Sequence, residues 1–382
     1  MANLFDFLDW RGDLRMHLLP PGDADALALS AICYLDLGDP CRTPAGQTIA
    51  EAAPRIPLVP DAPKPHLVLR PKLLRAMAQC ERYAGARLCN YVNIEDSTRG
   101  IQFSAVCCDL MGVGRAVCFR GTNATLVGWR EDFAMSYDIV PAQRAAARYL
   151  QEVAAGSAGP LWLIGHSKGG NLAVFAAAMA DPAIQDRIRL IWCFDGPGLR
   201  EDICESEGYQ RIRSRIRAII PQSSVIGLLM GGHPSYIVVQ SEASGLAQHD
   251  TFSWPLLPPG KLIAAEETTF SSQLMDRTLR SWLATASPEQ RRAFLDAVFH
   301  ILESTGASTT AEMKANILKQ LPQMAQTLGS FDPETRQMLI QLASRFVAMT
   351  TVNAVDLGVG QASGGILRFL RGEKNPGGES HE

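Results

Sequence analysis

Gly165-His166-Ser167-Lys168-Gly169 is the pentapeptide through which this chain could present a nucleophile. The pattern, G-x-S-x-G, means little alone, and its context gives it chemistry. Leu161 to Ile164, just before it, form a short apolar run of the kind that makes a strand buried on both faces, and Asn171 to Met179 after it read as a helix. A serine at such a strand–turn–helix junction is held with Oγ projecting past the strand end. Side chains at the two flanking positions would strike the neighbouring strand and helix, so both are expected to be glycine. The helix start directs N–H groups and partial positive charge at the reacting centre. The expected chemistry is acyl transfer with Ser167 as the attacking group. The plain alternative is a serine that only caps its helix.

Such a nucleophile needs a base, an acid behind the base and donors for an oxyanion. Phe119-Arg120-Gly121-Thr122 closes an upstream strand, so the Thr122 and Lys168 amides are the expected oxyanion donors, with the Thr122 hydroxyl as a third. The Lys168 side chain is expected in solvent. His249, in Gln248-His249-Asp250, lies in a loop after the strand that ends near Gln240 and is the expected base. His233 precedes that strand and is less well placed, His166 is expected to point away from the serine, and His300 falls on a C-terminal helix. Asp195, in Phe194-Asp195-Gly196-Pro197-Gly198, ends the strand after the serine's and is the expected acid, with Asp202, Asp250 and Glu242 as alternatives. The next strand ends in Pro221-Gln222-Ser223-Ser224, which offers no carboxylate. This chemistry calls for no metal and no cofactor.

The elements that must position these residues follow an alternating order. Two strands, Ile101 to Leu110 and Ala116 to Phe119, are joined by a glycine turn. A helix over 141–154, the Leu161 run, the Leu172–Met179 helix and strands at Ile188 to Phe194, Ile216 to Ile220 and Tyr236 to Val239 come after. Strands alternating with helices predict an α/β fold with a mostly parallel central sheet covered on both faces. Upstream, a short helix starts at Asp23, residues 39–66 hold seven prolines and read as a surface excursion, and 72–90 looks helical. The strands stop near residue 275. Ser287-Pro288-Glu289-Gln290, Thr309 with Glu312, and Asp332-Pro333 are helix starts, so 276–372 is expected to be helical after a 1–275 α/β domain, with a disordered, glycine-rich 373–382 tail.

Composition excludes several function classes. With 382 residues, 47% hydrophobic, 20% charged and a net charge of −3, the chain has no basic excess for nucleic acid. Nine cysteines, an odd number without a Cys-x-x-Cys pair, suit buried thiols in a reducing compartment. The acidic start offers no secretory signal and no apolar run is long enough to span a membrane, so the expected location is cytoplasmic.

Asp9-Trp10-Arg11-Gly12-Asp13, Asn90-Tyr91-Val92-Asn93, Phe119 to Thr122, Gly128-Trp129-Arg130-Glu131-Asp132-Phe133, Gly165 to Leu172, Asp195 to Gly198 and Gln248-His249-Asp250 together resemble a bacterial group of α/β-hydrolase-like proteins related to class 3 lipases. The resemblance runs to about Trp254 and does not reach the C-terminal helices. It implies an α/β-hydrolase fold and a lipase- or esterase-like site, with Ser167 and His249 matching the catalytic pair and Thr122 the oxyanion threonine. In class 3 lipases the acid follows the strand matched by Ile216 to Ile220, where Ser224 stands here, so the chain departs from that pattern. The expected function is hydrolysis of a small-molecule or lipid ester. The alternatives are a binding module on a hydrolase scaffold and an acyltransferase. The C-terminal helices are candidates for capping the site or pairing subunits.

Overall fold

The computed structural model describes residues 1–123, 126–231, 233 and 235–270, with isolated positions between 272 and 340. The chain divides into two compact units, Met1–Ser272 and Gln273–Glu382. The helices expected over 276–372 and the 373–382 tail lie outside the continuously described residues.

The first unit is built on an eight-stranded sheet whose strands follow chain order. These are β1 (Gln47–Thr48), β2 (Arg87–Asp96), β3 (Ile101–Leu110), β4 (Gly114–Phe119), β5 (Leu161–His166), β6 (Ile188–Phe194), β7 (Ile216–Pro221) and β8 (Tyr236–Val239). Strands β1 to β4 pair antiparallel, whereas β4 to β8 pair parallel through helical crossovers. The fold is α/β with a mostly parallel central sheet. All six residues of β5 are buried, and their alternation divides them between two cores. Trp162 and Ile164 pack with Leu27, Ile32 and Leu73 on one face. Leu161 and Leu163 pack with Leu150, Val174 and Phe175 on the other.

The helix Asp23–Ile32 is tied to the sheet by charge. Asp23 accepts from Trp192 Nε1 at 2.8 Å and from the Arg217 guanidinium at 2.5 and 2.6 Å. Asp25 is buried against Arg82 in a fork of 2.6 and 2.7 Å and also accepts from Tyr83. The chain leaving this helix carries Tyr34 to the site described below.

Two sequence expectations are corrected. The helix is Pro65–Met77 rather than 72–90, and the residues after Gly85 form β2. A bulge at Asn90, which takes φ 52°, breaks the alternation that would have revealed this strand. Within 39–66, Cys41, Ile49, Ala52 and Ala53 are core residues, so that stretch is surface only in part. No helix among the described residues is long and apolar enough to cross a membrane.

Candidate active site

Ser167 joins β5 to the helix Lys168–Met179 with φ 59° and ψ −134°, a conformation disfavoured for a residue with a side chain. The two flanking glycines make it possible. A Cβ on Gly165 would lie 2.0 Å from the Gly169 carbonyl oxygen, and one on Gly169 would lie 2.1 Å from that of Phe119. The turn is held by the Ser167 amide, which donates to the Phe194 carbonyl at 2.9 Å. Oγ does not cap the helix, bonds no described residue and is not sealed from solvent.

His249 ends a single 3-10 turn, Gly245–His249, and its Nδ1 donates to Asp195 Oδ2 at 2.6 Å. The carboxylate is sealed from solvent while the imidazole stays about a third exposed, its side chain at 30%. With Nδ1 donating, Nε2 carries the lone pair a base needs. Asp195 sits just past β6 with φ 44°, a second strained residue. Its other oxygen, Oδ1, accepts from Ser224 Oγ at 2.5 Å and from the Gly227 amide at 3.1 Å. Ser224, where the lipase pattern would place the acid, therefore serves this carboxylate. The other carboxylates face elsewhere: Asp202 pairs with Arg200, Asp250 with His66, and Glu242 with the N-terminal ammonium.

His166 is better connected than its position beside the serine suggested. Its Nε2 lies 2.8 Å from the His249 backbone carbonyl, and its ring lies 4.5 Å from the His249 ring between centroids. A carbonyl can only accept, so Nε2 carries the proton, and Nδ1 accepts from the Tyr34 hydroxyl at 2.9 Å. Burial, with the nearby His249, holds the His166 imidazole well below its ordinary range, so it stays neutral. This bond fixes the His249 loop against the elbow. Tyr34→Phe leaves a buried acceptor unmet, which costs about 1–3 kcal/mol. Thermal unfolding should show the loss, and kcat on an aryl ester should fall further than KM rises.

The oxyanion side differs from expectation in two respects. Thr122 Oγ1 donates to Asp132 Oδ2, so the hydroxyl is committed and leaves only the amide as donor. Lys168 is not in solvent: it is 1% exposed, with Nζ 2.9 Å from Glu131 Oε2, 3.2 Å from Gln102 Oε1 and 3.6 Å from Asp132 Oδ1. Two neighbouring carboxylates draw the ammonium inward and satisfy it there. Glu131 also accepts from the Ala142 amide at 2.8 Å and the Gln102 amide at 3.1 Å. Burial lifts the Asp132 carboxyl to about 6, against the pull of Lys168 and Thr122 and with added repulsion from Glu131. The network braces the loop after β4. A Cβ on Gly121 in that loop would lie 3.0 Å from the Ser167 Cβ, and neither the Thr122 nor the Lys168 amide bonds a described residue.

His233, the other candidate base, is buried with Nε2 3.2 Å from Cys193 Sγ. Burial pushes it down to about 4. The folded state thus prefers the neutral ring. The unfolded chain takes up the proton first as pH falls, so this contribution is whole above pH 6.5 and is lost as pH falls through about 4. The full shift corresponds to about 3 kcal/mol. Urea unfolding at pH 7 and pH 4.5 should show His233→Asn losing less stability than wild type between the two. His300 lies outside the described residues. No cluster of described His, Cys, Asp or Glu residues could hold a metal ion.

An α/β scaffold with a strained serine at a strand–turn–helix junction and a carboxylate–imidazole pair beside it defines the class. The chain belongs to the Mbeg1-like family, whose sequence model matches residues 77–300. Among solved structures it is similar to that titled "Crystal structure of M37 lipase", at 14% identity and a TM-score of 0.36, over 54% of this chain and 70% of that one. No curated protein matches the chain.

Proposed function

We propose that the protein is a serine hydrolase that cleaves carboxylic esters, lipid acyl esters included, through an acyl-enzyme. His249 Nε2 takes the Ser167 proton as Oγ bonds the ester carbonyl carbon, and the Thr122 and Lys168 amides receive the oxyanion. The alkoxide leaves with the proton from His249. Water, deprotonated by the same imidazole, then releases the acid. Asp195 holds the imidazole in the working tautomer. The class 3 lipase resemblance supports this assignment of Ser167, His249 and Thr122.

The observation that carries this reading is the 2.6 Å bond between Asp195 and His249, on a loop whose His249 carbonyl accepts from His166, the residue before Ser167. It weakens the binding-module alternative, because Asp195 supplies the acid that is missing at Ser224. A fluorophosphonate probe should label wild type and leave Ser167→Ala unlabelled, and equal labelling of both would remove the proposal. All nine cysteines are unpaired thiols and seven are buried, which supports a reducing, cytoplasmic setting.

A further inference from the structure

Two buried guanidinium groups in this protein are each completed by a carboxylate. Arg82 is forked onto Asp25, and Arg115 bonds Asp109 at 2.5 and 2.9 Å. Arg70 and Arg120 depart from that habit, and both lie beside the candidate site. The Arg70 guanidinium stacks over the Tyr34 ring, its carbon 3.8 Å from the centroid. Its Nε is sealed from solvent without a hydrogen bond, while its terminal nitrogens bond no described residue and remain open to solvent. Arg120, directly before Gly121 and Thr122, is 9% exposed. It donates from Nη2 to Asn93 Oδ1 at 3.0 Å, and its Nε too is sealed and unpartnered. Neither has an ion-pair partner among the described residues. Asp250, which acts on Arg70 from beyond ion-pair distance, is bonded to His66 at 3.3 Å.

Burial, with the Arg120 charge added to it, disfavours the Arg70 cation, and a bound anion would offset both. The Tyr34 hydroxyl sets the Arg70 cation near the serine. It lies 2.2 Å from where a Cβ on Gly121 would stand, and the same position is 3.0 Å from the Ser167 Cβ. We infer that Arg70, seconded by Arg120, forms a subsite for an anionic oxyacid group, a carboxylate or phosphate, carried by the substrate a few atoms from its scissile ester. The planar fork of arginine suits two oxygens of such a group. The choice of an ester substrate rests on the hydrolase reading; the anion site itself does not.

The test has an arm that needs no turnover. Titration calorimetry of the full chain with glutarate and with inorganic phosphate should detect binding of one or both, which tells the two chemistries apart. Arg70→Gln should weaken that binding at least tenfold, and Arg70→Lys should restore part of it. In the second arm, kcat/KM for the 4-nitrophenyl half-ester of glutarate should exceed that for 4-nitrophenyl pentanoate at least tenfold, and Arg70→Gln should shrink the ratio. Binding of neither anion, binding insensitive to Arg70→Gln, or a substitution that lowers both ester rates in proportion would leave Arg70 as only a support for Tyr34. Anion binding without any ester turnover would sink the hydrolase reading and leave the subsite standing.

Discussion

Ser167→Ala is expected to lower kcat on a short aryl ester by ~10⁶-fold, and His249→Ala by nearly as much, because in the proposed mechanism neither group works without the other. Ser167 Oγ bonds no described residue, and no other described nucleophile shares its strained turn. Removing it leaves only binding and the two backbone amides, which sustain a residual acceleration of ~10³- to 10⁴-fold over water. The double variant should therefore be no slower than either single one. Steady-state rates of the two singles and the double check this. Independent, multiplying losses would show that His249 does not act through Ser167. Both variants should fold, since Ser167 holds its turn through the backbone, and His249→Ala keeps the carbonyl that accepts from His166 while losing the bond to Asp195 and the ring contact with His166.

The turn around Ser167 is legible because sterics leave little freedom. Gly165 and Gly169 each face a backbone carbonyl near 2 Å from any added Cβ, so the two glycines and the apolar run before them already specify the geometry. Most strands are legible for the same local reason. Strand β2 is not, because the bulge at Asn90 shifts its register and hides the alternation. Long-range electrostatics are the other blind spot. A lysine after a serine reads as a solvated side chain, and only folding brings Glu131, Asp132 and Gln102 around its ammonium. The adjacent acidic pair in Arg130-Glu131-Asp132 was the available signal. The role of Ser224 was equally hidden: a missing carboxylate reads as a defect until a hydroxyl is seen donating to the carboxylate of the neighbouring strand.

That substitution of roles makes Asp195→Asn informative. The Ser224 hydroxyl and the Gly227 amide are both donors aimed at Oδ1. In the asparagine variant they select the amide oxygen for that side and turn the NH₂ toward His249 Nδ1. Nδ1 must then accept, which places the ring proton on Nε2, where it cannot take the serine's proton. The expected loss is ~10⁴-fold in kcat with the fold intact. Ser224→Ala removes a charge-assisted bond to the carboxylate but leaves the tautomer correct, so its cost should be far smaller, about tenfold for roughly 1.4 kcal/mol. Because Ser224 touches His249 only through Asp195, the two losses should not multiply. In the Asp195→Asn background, Ser224→Ala should cost nothing further, and by freeing the amide to flip it should recover part of the rate. A double variant slower than Asp195→Asn by the full Ser224 factor would mean that Ser224 acts on the reaction by another route.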